Sequence, residues 1–355
     1  MLVAPAGLTW FWRSRTKQES ANPSITSPNS RFNKAFDFST LTSWLTPNPD
    51  FFIRSHFGVP SPNRPWVVKI RGSVERELTV TLEELNGLAT RDIPVTLECA
   101  GNLVGWGGVS NARWSGVAMA TLLHKAGVLS GSKEVVLVGS DGGTDREAGG
   151  IRSDAFARSI PLIKALEPST ILATKMNGVA LPSEHGGPVR AIVPGYYGMD
   201  SVKWIKEIII SRQPFTGFYQ TSRYYETLSL NGGLQTSQLH RMRIKSQIAR
   251  PARDQALQAE STTVVGAAWS GESRIRAVNL SLDGGSTWHT ARLGSDDEES
   301  AWRLWSLDWS PSPGRYELVA RAVDARGDEQ PLLRDPHIVT PYANNWADRR
   351  IVTVL

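Results

Sequence analysis

The chain has very little cysteine. Among its 355 residues Cys99 is the only one, so no disulfide can form within the chain. The zinc patterns C-x-x-C and H-E-x-x-H and the covalent haem pattern C-x-x-C-H are absent. No run of 18 apolar residues occurs, so no membrane span is predicted. The net charge is +5, but lysine and arginine are scattered rather than clustered, which argues against a nucleic-acid partner.

The start of the chain carries no recognisable export signal. Residues 1–12 are apolar without a basic region or a clean cleavage site, and residues 13–15 are not a twin-arginine pair. This absence favours the cytoplasm, whereas a truncated start would allow the periplasm, so the compartment stays open. Residues 13–50 are rich in Ser, Asn, Pro and Thr, which predicts an N-terminal extension over residues 1–45.

From Phe51 onward the pattern is that of a compact domain with short helices, short strands and glycine-rich loops. Thr81 and Glu84 have capping-box spacing, and residues 117–126 predict a short helix that ends at Gly127. Strand-like runs occupy residues 66–72, 95–97, 133–138, 189–193 and 204–210. The sequence therefore predicts a mixed α/β domain over residues 46–235, with its chemistry on loops.

A change of pattern follows at residues 230–245, where Asn231, Gly232 and Gly233 precede polar residues and indicate a linker. Beyond it, strand-length runs separated by turn residues occupy residues 261–268, 275–282, 288–293, 302–309 and 316–323. This spacing predicts an all-β, immunoglobulin-like sandwich over residues 236–355. The predicted fold class is α+β, with the mixed α/β domain first and the sandwich second.

Cys99 lies directly after the strand-like run 95–97 and before a glycine-containing turn, where a strand end would present its thiol to a cleft. Three interpretations are open on this evidence. The thiol is a metal ligand, a nucleophile, or a buried apolar group, since buried free cysteines are common. A nucleophile would need a paired histidine base, for which His185 is available.

The surrounding residues decide between these interpretations, because several motifs occur in a fixed order. They are Glu98-Cys99-Ala100-Gly101-Asn102, Asn111-Ala112-Arg113-Trp114-Ser115-Gly116-Val117, Lys175-Met176-Asn177-Gly178, Glu184-His185-Gly186-Gly187-Pro188-Val189-Arg190, Val193-Pro194-Gly195-Tyr196-Tyr197-Gly198 and Ser281-Leu282-Asp283-Gly284-Gly285-Ser286-Thr287-Trp288. Over residues 50–355 this chain resembles the sulfite oxidase family of molybdopterin-dependent oxidoreductases. The resemblance implies a molybdopterin-binding catalytic domain followed by an immunoglobulin-like dimerisation domain.

The resemblance also assigns the cofactor site. In that family the matching cysteine thiolate binds molybdenum, which implies Cys99 as the metal ligand, and a soft thiolate suits such a metal. The cofactor would be molybdenum-molybdopterin, and no haem site is expected in this chain. The residues that match the family's pterin contacts are Arg54, His56, Asp141, His185, Arg190 and Lys203. Arginine and lysine suit the cofactor's phosphate.

Further matches concern catalysis and substrate. Tyr224 corresponds to the family's active-site tyrosine, with Tyr225 as the adjacent alternative, and Trp106 to a wall of the substrate pocket. Near the C-terminus, Arg349 or Arg350 corresponds to an anion-binding arginine. Sulfite-oxidising members usually have two arginines after the Cys-Ala-Gly-Asn motif, whereas this chain has Leu103-Val104. That departure leaves metal binding intact but puts sulfite itself in doubt.

The resemblance implies oxygen-atom transfer to sulfite or a related small anionic sulfur compound, with electrons passed to an external acceptor such as a cytochrome c. It also implies a homodimer. A molybdopterin reductase of sulfoxide or oxyanion substrates is the alternative, because the same centre runs in either direction. A non-catalytic immunoglobulin-like binding protein is the remote alternative, since sandwiches host many functions.

Overall fold

The fold was analysed in a computed structural model that describes residues 33–61, 65–88, 90–145, 150–230 and 233–355. The first domain contains helices α1 (Leu82–Gly87), α2 (Met119–Ala126) and α3 (Leu162–Ala165). Its strands are β1 (Val67–Gly72), β2 (Leu78–Thr81), β3 (Thr90–Glu98), β4 (Val109–Ala118), β5 (Glu134–Gly139), β6 (Gly143–Asp145), β7 (Ile151–Ser153), β8 (Ala157–Pro161), β9 (Ile171–Met176), β10 (Val179–Ala180), β11 (Arg190–Ile192) and β12 (Ile205–Ser211).

The first domain is built on two sheets. One has the order β2-β1-β12-β5-β8, in which β1 and β12 are parallel and the other pairs antiparallel. The other has the order β10-β9-β4-β3, with β11 also paired to β9. Residues 135–137, in the middle of β5, form a continuous buried apolar run, as expected for a strand covered on both faces. The long β3–β4 pairing ends at Glu98, one residue before Cys99, and so sets the position of that cysteine.

The second domain is a two-sheet sandwich. Its strands are β15 (Lys245–Arg250), β16 (Ala256–Leu257), β17 (Thr262–Trp269), β18 (Ile275–Ser281), β19 (His289–Thr290), β20 (Arg292–Leu293), β21 (Arg303–Trp309), β22 (Gly314–Asp324) and β23 (Asp348–Val354). A separate hairpin of β13 (Tyr225–Leu230) and β14 (Gly233–Gln238) precedes the sandwich, and Leu228 of β13 also forms an isolated bridge with Ile338. The sheet orders are β15-β17-β21-β20 and β16-β23-β22-β18-β19. The predicted α+β architecture, with a β-rich second domain, is confirmed.

The helix start and helix end that the sequence predicts from neighbouring residues are present in the structure. Thr81 and Glu84 form the expected capping box at the start of α1. Gly127 ends α2 in the left-handed conformation at φ 70°. The predicted helix at residues 117–126 begins later, however, because Val117 pairs with both Thr90 and Leu172 as the end of β4. Pairing on both edges outweighs the helical pattern at Val117, and pairing with Ile171 of β9 does so at Ala118.

Two boundary predictions differ from the structure. The stretch predicted as a linker at residues 230–245 instead includes strand β14 of the hairpin, which lies across the predicted domain boundary at residues 235/236. Part of the predicted N-terminal extension packs into the core, where Phe36, Phe38 and Leu41 are buried. Trp44 and Trp302 exchange indole-to-carbonyl hydrogen bonds of 2.9 and 2.8 Å, which fasten this segment to the second domain. Residues 1–32 lie outside the described part of the chain.

Candidate active site

Cys99 sits at the first turn after β3 and is partly exposed. Its backbone N–H donates to Gly108 O at 2.8 Å, and its carbonyl accepts from Asn102 N–H at 2.8 Å. The Asn102 side chain closes the same turn, because its Oδ1 accepts from Gly108 N–H at 2.9 Å. The turn is therefore fixed from both ends, and it directs the Cys99 side chain into a cleft.

The cleft encloses about 730 Å³, including the part open to solvent. Its walls come from residues 51–56, the turn after β3, the loop before β11, residues 198–203 and one tyrosine. Most of the side chains that the sequence predicts for the site meet here, although they come from six separate segments. They are Arg54, His56, Cys99, Asp141, His185, Arg190, Lys203 and Tyr224.

One end of the cleft is rich in buried positive charge. Arg190 donates to His185 O at 2.7 Å and to Ser201 O at 2.9 Å, and burial lowers its pKa to about 9. Lys203 donates to Glu184 O at 3.2 Å, and burial together with Arg190 lowers its pKa as well. Two cations held by neutral carbonyl oxygens in a dry site favour a bound anion.

A glycine allows these two cations to approach each other. Gly186 has φ +106°, in the left-handed region that favours glycine. A Cβ at this position would lie 2.9 Å from Lys203 Cβ and 3.1 Å from Arg190 Cβ. The Glu184-His185-Gly186-Gly187 sequence is thus explained by packing as well as by backbone conformation.

His185 and Asp141 complete this end of the cleft. His185 Nε2 lies 2.9 Å from Asn48 O, and burial lowers the pKa of His185 to about 4, so the ring is neutral at pH 7. Burial raises the pKa of Asp141, whereas Lys203 opposes that shift. The hydroxyl of the neighbouring Ser140 is buried without a hydrogen-bond partner among the described residues. Ser140 lines a separate hollow with Trp66, Lys69 and Glu207 and not the cleft itself.

At the other end, Tyr224 and His56 form a polar chain. Tyr224 OH and His56 Nε2 lie 2.7 Å apart, and His56 Nδ1 lies 2.9 Å from Asp145 Oδ2. Asp145 also accepts a hydrogen bond of 2.8 Å from Tyr219 OH. The imidazole stacks on Phe156 with ring centroids 5.6 Å apart. The Asp145 carboxylate, the His56 imidazole and the Tyr224 phenol are therefore linked in this order, and Tyr224 lines the cleft.

Burial raises the pKa of Tyr224, and the neighbouring Cys99 acts in the same direction. Arg223 and Arg54 oppose that shift, which places two positive charges near this hydroxyl. Tyr224 therefore remains a protonated hydrogen-bond donor at neutral pH. The adjacent candidate, Tyr225, begins strand β13 instead.

Arg158 supports the backbone that carries Tyr224, and sequence reasoning missed it. Its Nε donates to Asp200 Oδ1 at 2.8 Å, while its two terminal nitrogens donate to Tyr219 O at 2.6 Å and Leu239 O at 2.8 Å. Leu239 N–H in turn donates to Tyr224 O at 3.4 Å. Arg158, Asp145 and Tyr219 belong to no motif that was found in the sequence, so nothing there indicated their roles.

Three candidates are placed away from the cleft. Arg349 donates to Glu317 at 2.8 Å, and Arg350 donates to Asp348 at 3.0 Å and to Pro251 O at 2.6 Å. Because burial alternates along β23, Arg350 faces the interior of the second domain and Arg349 faces outward. Trp106 lies in the turn after Leu103, and its carbonyl accepts from Gln247 at 3.2 Å. Among the described residues, these three do not line the cleft.

In the part of the chain that the structure describes, no three His, Cys, Asp or Glu side chains cluster closely enough to hold a metal ion. Cys99 supplies the thiol that lines the cleft. None of the described helices has both the length and the apolar character needed to cross a membrane.

Comparison with protein families gives two matches that together cover most of the chain. Residues 56–219 match the family described as the oxidoreductase molybdopterin binding domain. Residues 236–353 match the Mo-co oxidoreductase dimerisation domain.

Individual proteins agree with these matches. The mitochondrial sulfite oxidase of Homo sapiens is 32% identical over 324 residues, covering 81% of this chain and 58% of the human protein. The sulfite oxidase of Gallus gallus is 32% identical, covering 81% of this chain and 68% of that protein. An NADH nitrate reductase of Phaseolus vulgaris is 31% identical, covering 81% of this chain but 37% of its own length. This chain thus spans less than two thirds of the human relative.

A solved structure extends the likeness to the whole architecture. The sulfane dehydrogenase SoxCD from Paracoccus pantotrophus superposes with a TM-score of 0.82 at 27% sequence identity. The superposition covers 94% of this chain and 89% of that one.

Proposed function

This chain belongs to the sulfite oxidase family of molybdopterin-dependent oxidoreductases, and we propose that it oxidises a small anionic sulfur compound in the cleft. The observation that carries the proposal is the position of Cys99, whose lone thiol faces the same cleft as Arg54, Arg190 and Lys203. Cys99 would be the protein ligand of molybdenum, as the resemblance implies.

The residues of the cleft fit the cofactor. Buried Arg190 and half-buried Lys203 are cations that suit the phosphate, and Asp141, which lines the same cleft, suits the edges of a pterin. Neutral His185 adds a hydrogen-bonding group without adding charge.

When bound, the molybdenum cofactor would supply oxygen-atom transfer and the accompanying two-electron redox change. The residues of this chain would bind and orient the substrate. Arg54 would attract the anion, while Tyr224 would donate its hydroxyl proton as a hydrogen bond. His56, held by Asp145, would keep that hydroxyl in place. Fixed donors of this kind stabilise developing negative charge in a site that excludes water.

The substrate need not be sulfite itself. Leu103 replaces an arginine that is usual in sulfite-oxidising members, and it is 50% exposed. One charged hydrogen bond contributes about 1.5–3 kcal/mol, so its loss would weaken sulfite binding unless Arg54 or Arg223 replaced it. A larger sulfur compound with an apolar part would tolerate Leu103 better than sulfite would.

We further propose a homodimer that passes electrons to an external acceptor such as a cytochrome c. The match of residues 236–353 to a dimerisation domain supports the first part. The second part follows from the reaction class, because the centre must be reoxidised after each turnover.

The decisive experiment is anaerobic reduction of the purified holoenzyme by a panel of sulfur compounds, including sulfite and thiosulfate. The result expected is bleaching of the oxidised absorbance by at least one of them. Equal molybdenum content in wild type and Cys99→Ser would contradict the proposal, as would a failure of every sulfur donor.

A reductase is the second candidate, because nitrate reductases are 31% identical over 81% of the chain. Reduced dye with nitrate or a sulfoxide would test it in the same preparation. Turnover in this assay, without reduction by sulfur donors, would favour the reductase.

A further inference from the structure

The Cys99 loop, defined here as residues 98–108, is held from its far side by the second domain. Glu98, one residue before the cysteine, is 0% exposed. Lys245 on β15 donates to Glu98 Oε1 at 2.5 Å, and Trp269 on β17 donates to Glu98 Oε2 at 2.9 Å. Lys245 and Trp269 are each 1% exposed. A carboxylate in the first domain is thus neutralised by the second.

The same carboxylate connects to the turn that carries the cysteine. Asn102 Nδ2 donates to Glu98 Oε1 at 2.9 Å, and Asn102 O lies 3.4 Å from Lys245 Nζ. Asn102 Oδ1 accepts from Gly108 N–H, whose carbonyl holds Cys99 N–H. A continuous set of hydrogen bonds therefore runs from the second domain to the backbone of Cys99.

Two more contacts fasten the loop along its length. Gln247, two residues after Lys245 on β15, donates to Trp106 O at 3.2 Å. Ala343 N–H, before β23, donates to Ala100 O at 2.9 Å. The loop is held by the second domain at its start, at the residue after Cys99, and near its end.

Among these contacts, the buried ion pair between Glu98 and Lys245 is the one that a single substitution of Lys245 should weaken most. Both charges are buried, so removing only the ammonium leaves a buried carboxylate without its cation, one residue before Cys99 in the chain. Removing both charges together avoids that penalty. A variant that lacks only the Lys245 charge should therefore loosen the loop, whereas a variant that lacks both charges should not. This difference distinguishes an effect of the ion pair from an effect of lost side-chain packing.

We propose that Lys245 and Trp269 are positioning residues for the Cys99 loop, so that the second domain forms part of the support of the metal site. Lys245 orients the loop through Glu98 and neutralises the buried carboxylate of that residue, which directly precedes Cys99 in the chain. This inference rests on the proposed function in one respect, namely that Cys99 ligates the metal. The physical coupling between domain and loop does not depend on it.

The first test measures hydrogen–deuterium exchange of the metal-free protein in peptides that span residues 98–108. Lys245→Met should raise the exchange rate of these peptides by at least about tenfold and leave the exchange rate of β5 unchanged. The double variant Glu98→Gln/Lys245→Met should exchange in these peptides within about threefold of the wild-type rate. Lys164→Met is the matched control, because Lys164 is also a buried lysine and pairs with Glu167 at 2.6 Å. It should not alter exchange in the loop. Unchanged exchange in Lys245→Met, or an increase spread over the whole chain, would overturn the proposal.

The second test uses the Mo(V) electron paramagnetic resonance spectrum of the reduced holoenzyme. Lys245→Met should shift the spectrum, and the double variant should return it to the wild-type form. A wild-type spectrum in Lys245→Met would overturn the electrostatic part. If wild type contained no molybdenum, the proposed function would fail, while the exchange experiment would still decide the coupling.

Should Lys245→Met fail to fold, Trp269→Phe removes one hydrogen bond to Glu98 while keeping an aromatic ring. Faster exchange confined to residues 98–108 would support the proposal. Unchanged or uniformly faster exchange would contradict it.

Discussion

Replacing Arg158 with methionine should destabilise the protein strongly, because three hydrogen bonds depend on one buried guanidinium. Arg158 and Asp200 are both 0% exposed. Arg158→Met would leave Asp200 with His240 as a hydrogen-bonding neighbour 2.9 Å away, and would leave two carbonyl oxygens without the guanidinium donor. Breaking a buried pair from one side costs about 3–5 kcal/mol.

The expected loss can be measured as a free energy of unfolding from urea titration of the metal-free protein. In thermal unfolding it corresponds to roughly 6–20 °C, at about 2–4 °C per kcal/mol for a domain of this size. Arg158→Lys keeps the charge but not the planar fork, so it should be intermediate. The Arg158→Lys variant should also have lower activity, because Arg158 holds the segment that carries Tyr224 by donating to Tyr219 O and Leu239 O.

Arg71→Met is the matched control on the surface. Arg71 also pairs with a carboxylate, Glu207, at 2.5 Å, but its side chain is 45% exposed. Exposed pairs contribute about 0–1 kcal/mol, so the loss should be small. A loss below about 1 kcal/mol in Arg158→Met, or equal losses in both variants, would refute the reasoning from buried charge.

Three further predictions concern the cleft. Cys99→Ser should lose molybdenum, measured by elemental analysis, while the unfolding free energy of the metal-free protein stays within about 1 kcal/mol of wild type. Tyr224→Phe should keep its metal but lower kcat about 100-fold, because the donor aimed at the reacting atoms is removed; an unchanged kcat would contradict the role of the hydroxyl. His185 has its pKa lowered to about 4, first by burial, with Arg190 and Lys203 acting in the same direction and Asn48 O and Glu184 opposing. The unfolded chain therefore binds the proton more readily, and stability present above about pH 6.5 should fall as the pH drops toward 4. His185→Asn should reduce that slope in urea titrations, and an identical slope would contradict the assignment.

The parts of the fold that could be predicted from sequence are those set by neighbouring residues. The capping box at Thr81 and the left-handed Gly127 depend on contacts within a few residues, so their patterns are visible in the sequence. The continuous apolar run at residues 135–137 likewise indicates from sequence alone that this part of β5 is buried. The resemblance grouped Arg54, Arg190 and Lys203 as cofactor contacts, and these three residues line one cleft; their role toward a cofactor stays a prediction.

The errors occur where distant segments decide the structure. Residues 233–238, within the stretch predicted as a linker, form β14, because they pair with β13, and the sequence pattern alone does not show this pairing. Arg349 and Arg350 looked equivalent in sequence, but the alternation along β23 directs them to opposite faces. Their carboxylate partners, Glu317 and Asp348, fix them there. Arg158 could not have been found, because its partners lie 42 to 81 residues away along the chain.

The positions of the positive charges bear directly on the substrate. Leu103 is an apolar residue at a position of the turn after Cys99 where sulfite-oxidising relatives usually have an arginine, and its side chain is half exposed. The charges that remain near Tyr224 come from Arg54 and Arg223, on other segments. An anionic sulfur group should therefore bind on the side of Tyr224 and Arg54, which both line the cleft, whereas Leu103 lies in the adjoining turn outside the lining. Leu103→Arg would then favour sulfite over bulkier sulfur donors, since it adds charge where the chain now presents an apolar side chain.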